Sequence, residues 1–212
     1  MFRRLFIFGA SGHAKVVIEV VLRSQAGSIA LIVDDDPART GTDLVGYRVA
    51  GRREDLLRDR ALLDAGIVAI GSNAARLEVA AALAKAGLSF TSAIDPSAVV
   101  STSARIGAGS LVMPLVAVNA DARIGEHVIV NTGASIDHDC NVGDGVHLAP
   151  GSRLCGGVTV DRGAFIGAGT VVVPGIRIGA GAVVGAGSTV LGDIGAGERV
   201  AGSPCRVLGE GL

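Results

Sequence analysis

The stretch IGEHVIVNTGASIDHDCNVGDGVHL, residues 124–148, decides the fold of half of the chain. An aliphatic residue stands at every sixth position of this stretch, and the same period continues in both directions without an insertion. A fixed period of this kind marks a hexapeptide repeat, in which each repeat is one small structural unit. The full series comprises Ile94, Val100, Ile106, Val112, Val118, Ile124, Val130, Ile136, Val142, Leu148, Leu154, Val160, Ile166, Val172, Ile178, Val184 and Val190.

A second position in each hexad is nearly always small or β-branched. It lies four residues beyond the aliphatic residue, for example at Ala134, Cys140 and Ser152. One large and one small inward position suit a triangular coil with a narrow interior, and three hexads make one coil of about eighteen residues. Glycine often follows the aliphatic residue, where a tight corner favours a residue without a Cβ. The repeat therefore predicts a parallel β-helix of about six coils, with Cys140 as a core thiol.

The composition fits a thin core of small aliphatic side chains, with 32 Gly, 49% hydrophobic residues, 3% aromatic residues and no Trp. A formal net charge of −1 gives no electrostatic reason to expect nucleic acid or an anionic membrane surface as a partner. Three cysteines without a C-x-x-C spacing argue against a disulfide framework or a zinc knuckle. The apolar run after Arg4 ends at Gly9, which is too short for a signal peptide or a membrane span. We expect a cytoplasmic protein without membrane insertion.

Before Ile94 the hydrophobic pattern changes to alternating strands and helices. Such alternation is typical of a small Rossmann-like α/β domain with a parallel sheet. The pattern predicts two domains, residues 1–93 and residues 94–212, and Pro96 marks the junction between them. Strands are predicted at residues 5–8, 29–33 and 67–70, and helices at residues 13–23 and 74–86.

Polar loops follow the three predicted strands of the first domain. These loops contain Gly9-Ala-Ser-Gly-His13, Asp34-Asp-Asp36 and Gly71-Ser-Asn73. Open α/β sheets bind ligands at the carboxyl ends of their strands, and glycines before a helix allow backbone N–H groups to approach a polar ligand group. The first loop lacks the third glycine of a dinucleotide fingerprint, so it does not favour NAD. The aspartate run by itself also fits a solvated turn, but its position beside two other loops favours ligand binding.

His138 is the strongest candidate for chemistry in the repeat region, because it lies at an outward position between Asp137 and Asp139. A carboxylate partner orients an imidazole and stabilises its protonated form, which suits a general base. Adjacent strand residues point to opposite faces, so we expect only one of the two aspartates to hold the ring. The same residues also fit a surface histidine in a solvated loop.

The other histidines of the repeat region have weaker contexts. His147 lies nine residues after His138, about half a coil away, so it should project from another part of the cross-section. If both histidines serve one site, the simplest geometry is a cleft between subunits. We expect His127 to lie at the surface or in an interface.

The motifs together resemble the left-handed β-helix acyltransferases that modify bacterial surface sugars, and in particular the nucleotide-sugar N-acetyltransferases of the PglD and NeuD type. The resemblance covers essentially the whole chain and rests on specific motifs. These are Phe8-Gly-Ala-Ser-Gly-His-Ala14, Val33-Asp-Asp35, Ala69-Ile-Gly-Ser-Asn73, Asn131-Thr-Gly-Ala-Ser-Ile-Asp-His-Asp-Cys140 and Gly202-Ser-Pro-Cys-Arg206.

The resemblance implies a left-handed β-helix and a role for particular residues. His138 matches the general base, Asp139 matches the acidic residue that raises its basicity, and His147 matches a histidine that contacts acetyl-CoA. The resemblance also implies a homotrimer with active sites between neighbouring β-helices, acetyl-CoA as co-substrate and no metal. Backbone contacts to the pantetheine arm would fall near Gly156, Ala168 and Ala186, and the nucleotide part of the sugar would be held by Ser11, Gly12, His13, Asp34, Asp35 and Gly71.

The expected substrate is a UDP-linked 4-amino-4,6-dideoxy sugar, with GDP-linked or dTDP-linked amino sugars and the hydroxyl of a sialic acid as alternatives. A metal-dependent hydratase of the γ-carbonic-anhydrase type would need three converging histidines, two of them close together on one chain. The spacing of His127, His138 and His147 does not match that pattern. A non-catalytic scaffold would leave the His138-Asp139 motif and the three loops unexplained. Nucleotidyltransferase activity would require a Gly-rich loop with an arginine, which residues 9–13 do not supply.

Overall fold

The computed structural model describes residues 3–208, which form two compact units, one ending at Asp95 and one beginning at Pro96. No helix within this described range is long and apolar enough to cross a membrane.

The first unit is built on a parallel sheet with helices, as the alternating pattern predicts. Its central sheet has the order β2-β1-β5, with all pairs parallel. A short helix and a two-stranded hairpin were not predicted. In chain order the elements are β1 (Arg4–Phe8), α1 (Gly12–Ser24), β2 (Ser28–Val33), a 3-10 helix (Pro37–Arg39), β3 (Asp43–Leu44), β4 (Tyr47–Arg48), α2 (Arg53–Arg58), a second 3-10 helix (Arg60–Leu62), β5 (Ala65–Val68), α3 (Asn73–Lys85) and β6 (Ala93–Ile94).

The core of this unit is made of large apolar side chains from the sheet and helices. Phe6 and Phe8 of β1 are almost completely buried and belong to one cluster with Leu83 of α3. Helix α1 buries one apolar face, as its i, i+3, i+4 spacing predicts, and it is followed by the cap residue Gln25, which has a left-handed φ of 53°. Helix α3 begins after Ser72, whose hydroxyl accepts a hydrogen bond from the backbone N–H of Ala75.

The second unit is the expected left-handed parallel β-helix, with short strands on three faces and all coil-to-coil pairs parallel. One face has six strands in the order β22-β19-β16-β13-β10-β7, which gives about six coils. The second face has the order β20-β17-β14-β11-β8, and within this unit the third has the order β24-β23-β21-β18-β15-β12-β9, where β24 pairs antiparallel with β23. The strands are β7 (Val99–Val100), β8 (Arg105–Ile106), β9 (Leu111–Val112), β10 (Ala117–Val118), β11 (Arg123–Ile124), β12 (Ile129–Val130), β13 (Ser135–Ile136), β14 (Asn141–Val142), β15 (His147–Leu148), β16 (Arg153–Leu154), β17 (Thr159–Val160), β18 (Phe165–Ile166), β19 (Val171–Val172), β20 (Arg177–Ile178), β21 (Val183–Val184), β22 (Thr189–Val190), β23 (Arg199–Gly202) and β24 (Cys205–Val207).

The two inward positions of the hexads form the core of the β-helix. The aliphatic residue is the second residue of each strand, and those of the central coils, such as Ile136, Val142 and Leu148, are fully buried. The small positions fill the space between them, and Cys140 is the buried core thiol that the repeat predicts. Each strand pairs with the strand that lies eighteen residues further along the chain, so each coil buries the apolar face of the next.

The glycines that directly follow the aliphatic residues do not make the turn at the corner. The left-handed φ values occur two residues later, for example at Gly145 and Gly163. Gly143 instead lies against the next coil, because a Cβ on it would come within 2.7 Å of the backbone nitrogen of Arg162. The absence of a side chain therefore permits close stacking of coils, while a separate residue makes the turn.

Candidate active site

His138 lies on the corner between β13 and β14 and is held by one of its two neighbouring carboxylates. Its Nδ1 lies 2.8 Å from Oδ2 of Asp139. Asp139 adopts a left-handed φ of 60°, a conformation that Asp tolerates better than most residues. This corner turns the carboxylate back toward the imidazole, so sequence neighbours face each other where a regular strand would separate them.

Asp137 has a different set of partners. Its Oδ1 accepts hydrogen bonds from the backbone N–H of His138 at 2.8 Å and from Nδ2 of Asn119 at 2.9 Å. The bond from Asn119 and the bond from the His138 backbone lower the pKa of Asp137. Asp137 thus fixes the corner backbone, while Asp139 orients the ring.

The electrostatics of this corner suit a general base. The hydrogen bond that His138 donates to Asp139 and the charge of Asp137 raise the pKa of His138 above its ordinary value. The His138 side chain is 61% exposed, so a substrate can reach it. With Nδ1 turned toward a carboxylate, Nε2 is the nitrogen that is free of this contact and can take a proton from a nucleophile.

Gly156 lies directly against the imidazole from the adjacent coil. A Cβ on Gly156 would come within 2.5 Å of Cε1 and 2.6 Å of Nε2 of His138, and the Gly157 N–H donates to the His138 carbonyl at 2.9 Å. The structure therefore brings Gly156 and His138 together, and the missing side chain leaves room for the ring.

His147 lies on β15, on a different face from His138, as its spacing predicts. It is half-buried, its ring packs edge-on against Phe165 at a centroid distance of 5.2 Å, and its Nε2 lies 3.3 Å from Nδ2 of Asn131. Ala168 and Ala186 occupy equivalent positions one coil apart, after β18 and β21. Both alanines follow strands of the face that carries His147, whereas His138 and Gly156 follow strands of the neighbouring face. One chain thus holds these residues at two different corners.

In the first unit, the three polar loops meet at the carboxyl edge of the sheet. Asp34 accepts hydrogen bonds from the backbone N–H of Ala10 at 2.6 Å and of Asp36 at 2.8 Å, one on each carboxylate oxygen. Gly9 has a φ of 114°, and a Cβ there would lie 2.8 Å from the carbonyl oxygen of Ala69. Asp34 and Gly9 therefore join the first loop to the ends of β2 and β5.

The remaining residues of this edge differ in whether they are free to meet a ligand or already contact another side chain. Ser11, Gly12 and Gly71 are exposed, and a Cβ on either glycine would meet no atom within 4 Å. A ligand can therefore approach the backbone at both glycines. Asp35 forms an ion pair with Arg53, whose Nη2 lies 2.6 Å from Oδ2.

Sequence reasoning missed Arg53 and Arg76. Arg53 begins α2, which was not predicted, and its guanidinium also lies 5.4 Å from the centre of the Phe8 ring. Arg76 is only 1% exposed, and its guanidinium donates to the carbonyls of Ile70 at 2.9 Å and Gly71 at 3.2 Å and to Oδ1 of Asn73 at 2.9 Å. The i, i+3 spacing of Asn73 and Arg76 is the signal that places both on one face of α3.

Arg76 also affects His13. Burial, followed by the positive charge of Arg76, lowers the pKa of His13 to about 4, so this imidazole is neutral at pH 7. Burial lowers the pKa of Arg76 itself to about 10, and the guanidinium stays charged. The carboxyl edge of the sheet therefore holds the neutral imidazole of His13 next to the charged, buried guanidinium of Arg76.

His127 is 7% exposed and takes a left-handed φ of 54°, and its ring packs over Gly109. Of the two positions expected for it, surface or interface, the surface position is therefore wrong. Across residues 3–208, no group of three His, Cys, Asp or Glu side chains is arranged to hold a metal ion.

Comparison with known proteins identifies both units. The family described as "PglD N-terminal domain" matches residues 4–83, and the family "Bacterial transferase hexapeptide (six repeats)" matches residues 139–174. No match was found among curated proteins.

Several solved structures match over nearly their full length. PerB from Caulobacter crescentus, solved with CoA and GDP-perosamine, is 44% identical, with 97% of each chain covered and a TM-score of 0.91. The acetyltransferase domain of PglB from Neisseria gonorrhoeae is 36% identical, with 97% of this chain and 100% of that chain covered and a TM-score of 0.89. WeeI from Acinetobacter baumannii is 30% identical, with 97% and 99% covered and a TM-score of 0.88. The chain therefore belongs to the family of PglD-type acetyltransferases.

Proposed function

We propose that this protein transfers the acetyl group of acetyl-CoA to the amine of a nucleotide-linked 4-amino-4,6-dideoxy sugar. The observation that carries the proposal is the His138 imidazole, exposed and oriented by Asp139 at 2.8 Å. The PerB structure that holds CoA and GDP-perosamine is 44% identical to this chain, which supports the same pair of substrate classes here. It also makes a GDP-linked amino sugar the first substrate to test, ahead of the UDP-linked sugar that the sequence suggested.

In this reaction His138 acts as the general base. The sugar amine attacks the thioester carbonyl, and Nε2 of His138 takes a proton from the nitrogen as the C–N bond forms. Collapse of the tetrahedral intermediate breaks the C–S bond, and the protonated imidazole returns its proton to the CoA thiolate. Asp139 stabilises the imidazolium that exists between these steps.

The two units divide the binding of the substrates in this proposal. Acetyl-CoA is contacted by His147, Gly156, Ala168 and Ala186, and the nucleotide is contacted by Ser11, Gly12, His13, Asp35 and Gly71. Asp34 holds the loop in its binding conformation, because both of its carboxylate oxygens already accept hydrogen bonds from backbone N–H groups. The use of acetyl-CoA and an activated sugar supports a cytoplasmic location.

The test is acetyl transfer by the purified chain to a panel containing GDP-, UDP- and dTDP-linked 4-amino sugars and free sialic acid, with release of the CoA thiol as the readout. We expect acetylation of a nucleotide-linked amino sugar and none without acetyl-CoA. Acetylation of sialic acid alone would replace this function with O-acetyl transfer. No turnover of any acceptor by the folded protein would contradict the proposal.

We further propose that the active enzyme is a homotrimer with the site between neighbouring β-helices, supported by the placement of His138 and His147 on different faces. Mixing inactive His138→Ala subunits with His147→Ala subunits should restore part of the activity, because some interfaces then carry both intact histidines. His147→Ala must first be shown to be strongly damaging by itself. Mixed trimers that form without regaining activity would place both histidines of a site on one chain.

A further inference from the structure

Two arginines face each other on the β-helix, and within residues 3–208 neither is paired with an opposite charge. Arg105 and Arg123 are the first residues of β8 and β11 and are direct register partners on neighbouring coils. Strands of one sheet lie about 4.8 Å apart, and like charges directly opposite each other are destabilising. Both residues are exposed, and neither guanidinium forms a hydrogen bond or an ion pair with any residue in the described range 3–208.

The other positions of this ladder avoid such repulsion. Asn141 and Thr159 follow Arg123 in register and are neutral. Arg177 follows next, and its guanidinium is neutralised by Asp161 through contacts of 2.8 and 3.0 Å. The uncompensated pair is therefore a local feature of the first two coils and not a property of the whole face.

A cavity of about 350 Å³ lies at this pair of arginines. Its polar lining combines cationic donors with hydroxyl groups and one carboxylate, which would suit an anion attached to a hydroxylated sugar. The lining residues are Thr102, Ser103, Ala104, Arg105, Asp121 and Arg123.

The cavity lies on the same edge of the β-helix as the proposed base. The Asp139 N–H donates to the Ala120 carbonyl at 3.1 Å, and the Asp121 N–H donates to the Ser103 hydroxyl at 2.9 Å. The corner that holds His138 is thus stacked on the corner of Asp121, and the cavity begins one coil away, about 5 to 10 Å along the axis. In a nucleotide sugar, a single pyranose ring separates the amine at C4 from the diphosphate.

We infer that the Arg105 and Arg123 cavity is a phosphate-binding subsite of the acetyltransferase, which takes a phosphate group of one of its two substrates. This inference rests on the proposed function. Both the sugar nucleotide and CoA carry phosphate groups, and both guanidinium groups can donate paired N–H bonds to phosphate oxygens. Asp121 then serves as the acceptor for a neighbouring sugar hydroxyl.

The experiment measures KM for each substrate in Arg105→Gln, Arg123→Gln and the double variant. Loss of a charged hydrogen-bond partner should raise one KM by about tenfold or more per arginine, with a smaller change in kcat. An increase for the nucleotide sugar assigns its diphosphate to the cavity, and an increase for acetyl-CoA assigns a phosphate of CoA. The matched control is Arg177→Gln, which removes the same charge from the same ladder three coils away and should leave both KM values unchanged.

A binding readout separates this subsite from a structural role. GDP and CoA are each added to the wild type and to the double variant, and thermal unfolding is followed. One of the two ligands should raise Tm of the wild type by more than it raises Tm of the double variant, whereas Tm without ligand should be equal or higher in the variant because the repulsion is removed. Unchanged KM values together with equal Tm shifts for both ligands would overturn the inference. That outcome is distinct from failure of the proposed function, in which the wild type itself acetylates no acceptor.

Discussion

The β-helix and the α/β unit place their functional groups by opposite means. In the β-helix the same backbone pairing recurs every eighteen residues. The corner that holds His138 differs from the corners stacked on it only in its side chains. In the α/β unit nothing repeats, and the loops are held by single side chains such as Asp34 and Arg76. We therefore expect the first region to keep its fold when exposed corner residues are exchanged, and the loops of the second to depend on particular polar contacts.

Substitutions in the β-helix and in the α/β unit are therefore expected to have different consequences. An exposed residue of the β-helix corner can affect the chemical step while the stacked aliphatic core keeps the coil intact. A loop residue of the α/β unit should act through the binding of one substrate. Four substitutions test this division.

The largest effect is expected for His138→Ala. Removal of the general base should lower kcat by about 10² to 10⁴ and leave KM for acetyl-CoA nearly unchanged. The side chain is exposed, so thermal unfolding of the variant should match that of the wild type. An unchanged kcat would show that the amine needs no protein base, and the β-helix would then lose its assigned role in the chemistry.

Gly156→Ala tests whether free space behind the imidazole matters. The new Cβ would collide with the His138 ring, and the ring can move away at little cost in stability because it is the end of an exposed side chain. We expect kcat to fall by about tenfold to a hundredfold, as for a misplaced catalytic group. Gly192→Ala is the control, since a Cβ there meets nothing within 4 Å. Equal kcat values for the two variants would contradict the proposed dependence on ring position.

Asp35→Ala tests the α/β unit. Loss of the carboxylate should raise KM for the nucleotide sugar by about tenfold and leave KM for acetyl-CoA unchanged. The broken pair with Arg53 is partly exposed and should cost at most about 1 kcal/mol of stability. Asp36→Asn, which keeps the acceptor oxygen that caps the following 3-10 helix, provides the neighbouring control. A similar rise in both KM values would indicate that the unit only supports the fold.

The smallest effect is expected for Asp139→Asn. Only neutral His138 can take the amine proton, so activity falls as the pH drops through its pKa. Asp139 is the largest cause of the raised pKa of His138, and its replacement should move the acidic limb of the kcat/KM profile to lower pH. Asp137→Asn should move the same limb by less, because its charge is the second cause. A larger shift in Asp137→Asn would reverse the assigned roles of the two aspartates.

The sequence was sufficient to predict the β-helix because its periodicity records the same inward pattern in every coil, from Ile94 to Val190. The sequence also predicted the α/β pattern, since three apolar strands alternate with helices. Helix α2 was missed because its six residues are too few to show a helical period. The surface position expected for His127 was wrong because burial there depends on a contact between neighbouring coils. A polar residue at a left-handed corner looks exposed in the sequence, and only the packing around Gly109 buries it.

The motif around His138 was visible in the sequence, as were the three loops at the strand ends. The tertiary structure alone decided that Asp139 and not Asp137 faces the imidazole, because that choice depends on the left-handed backbone of one corner residue. It also decided that Gly156 adjoins the ring and that Arg76 is buried beneath the loop at Gly71. Local periodicity fixes which residues face inward or outward, but contacts between side chains far apart in sequence are set by the stacking of coils and the packing of helices.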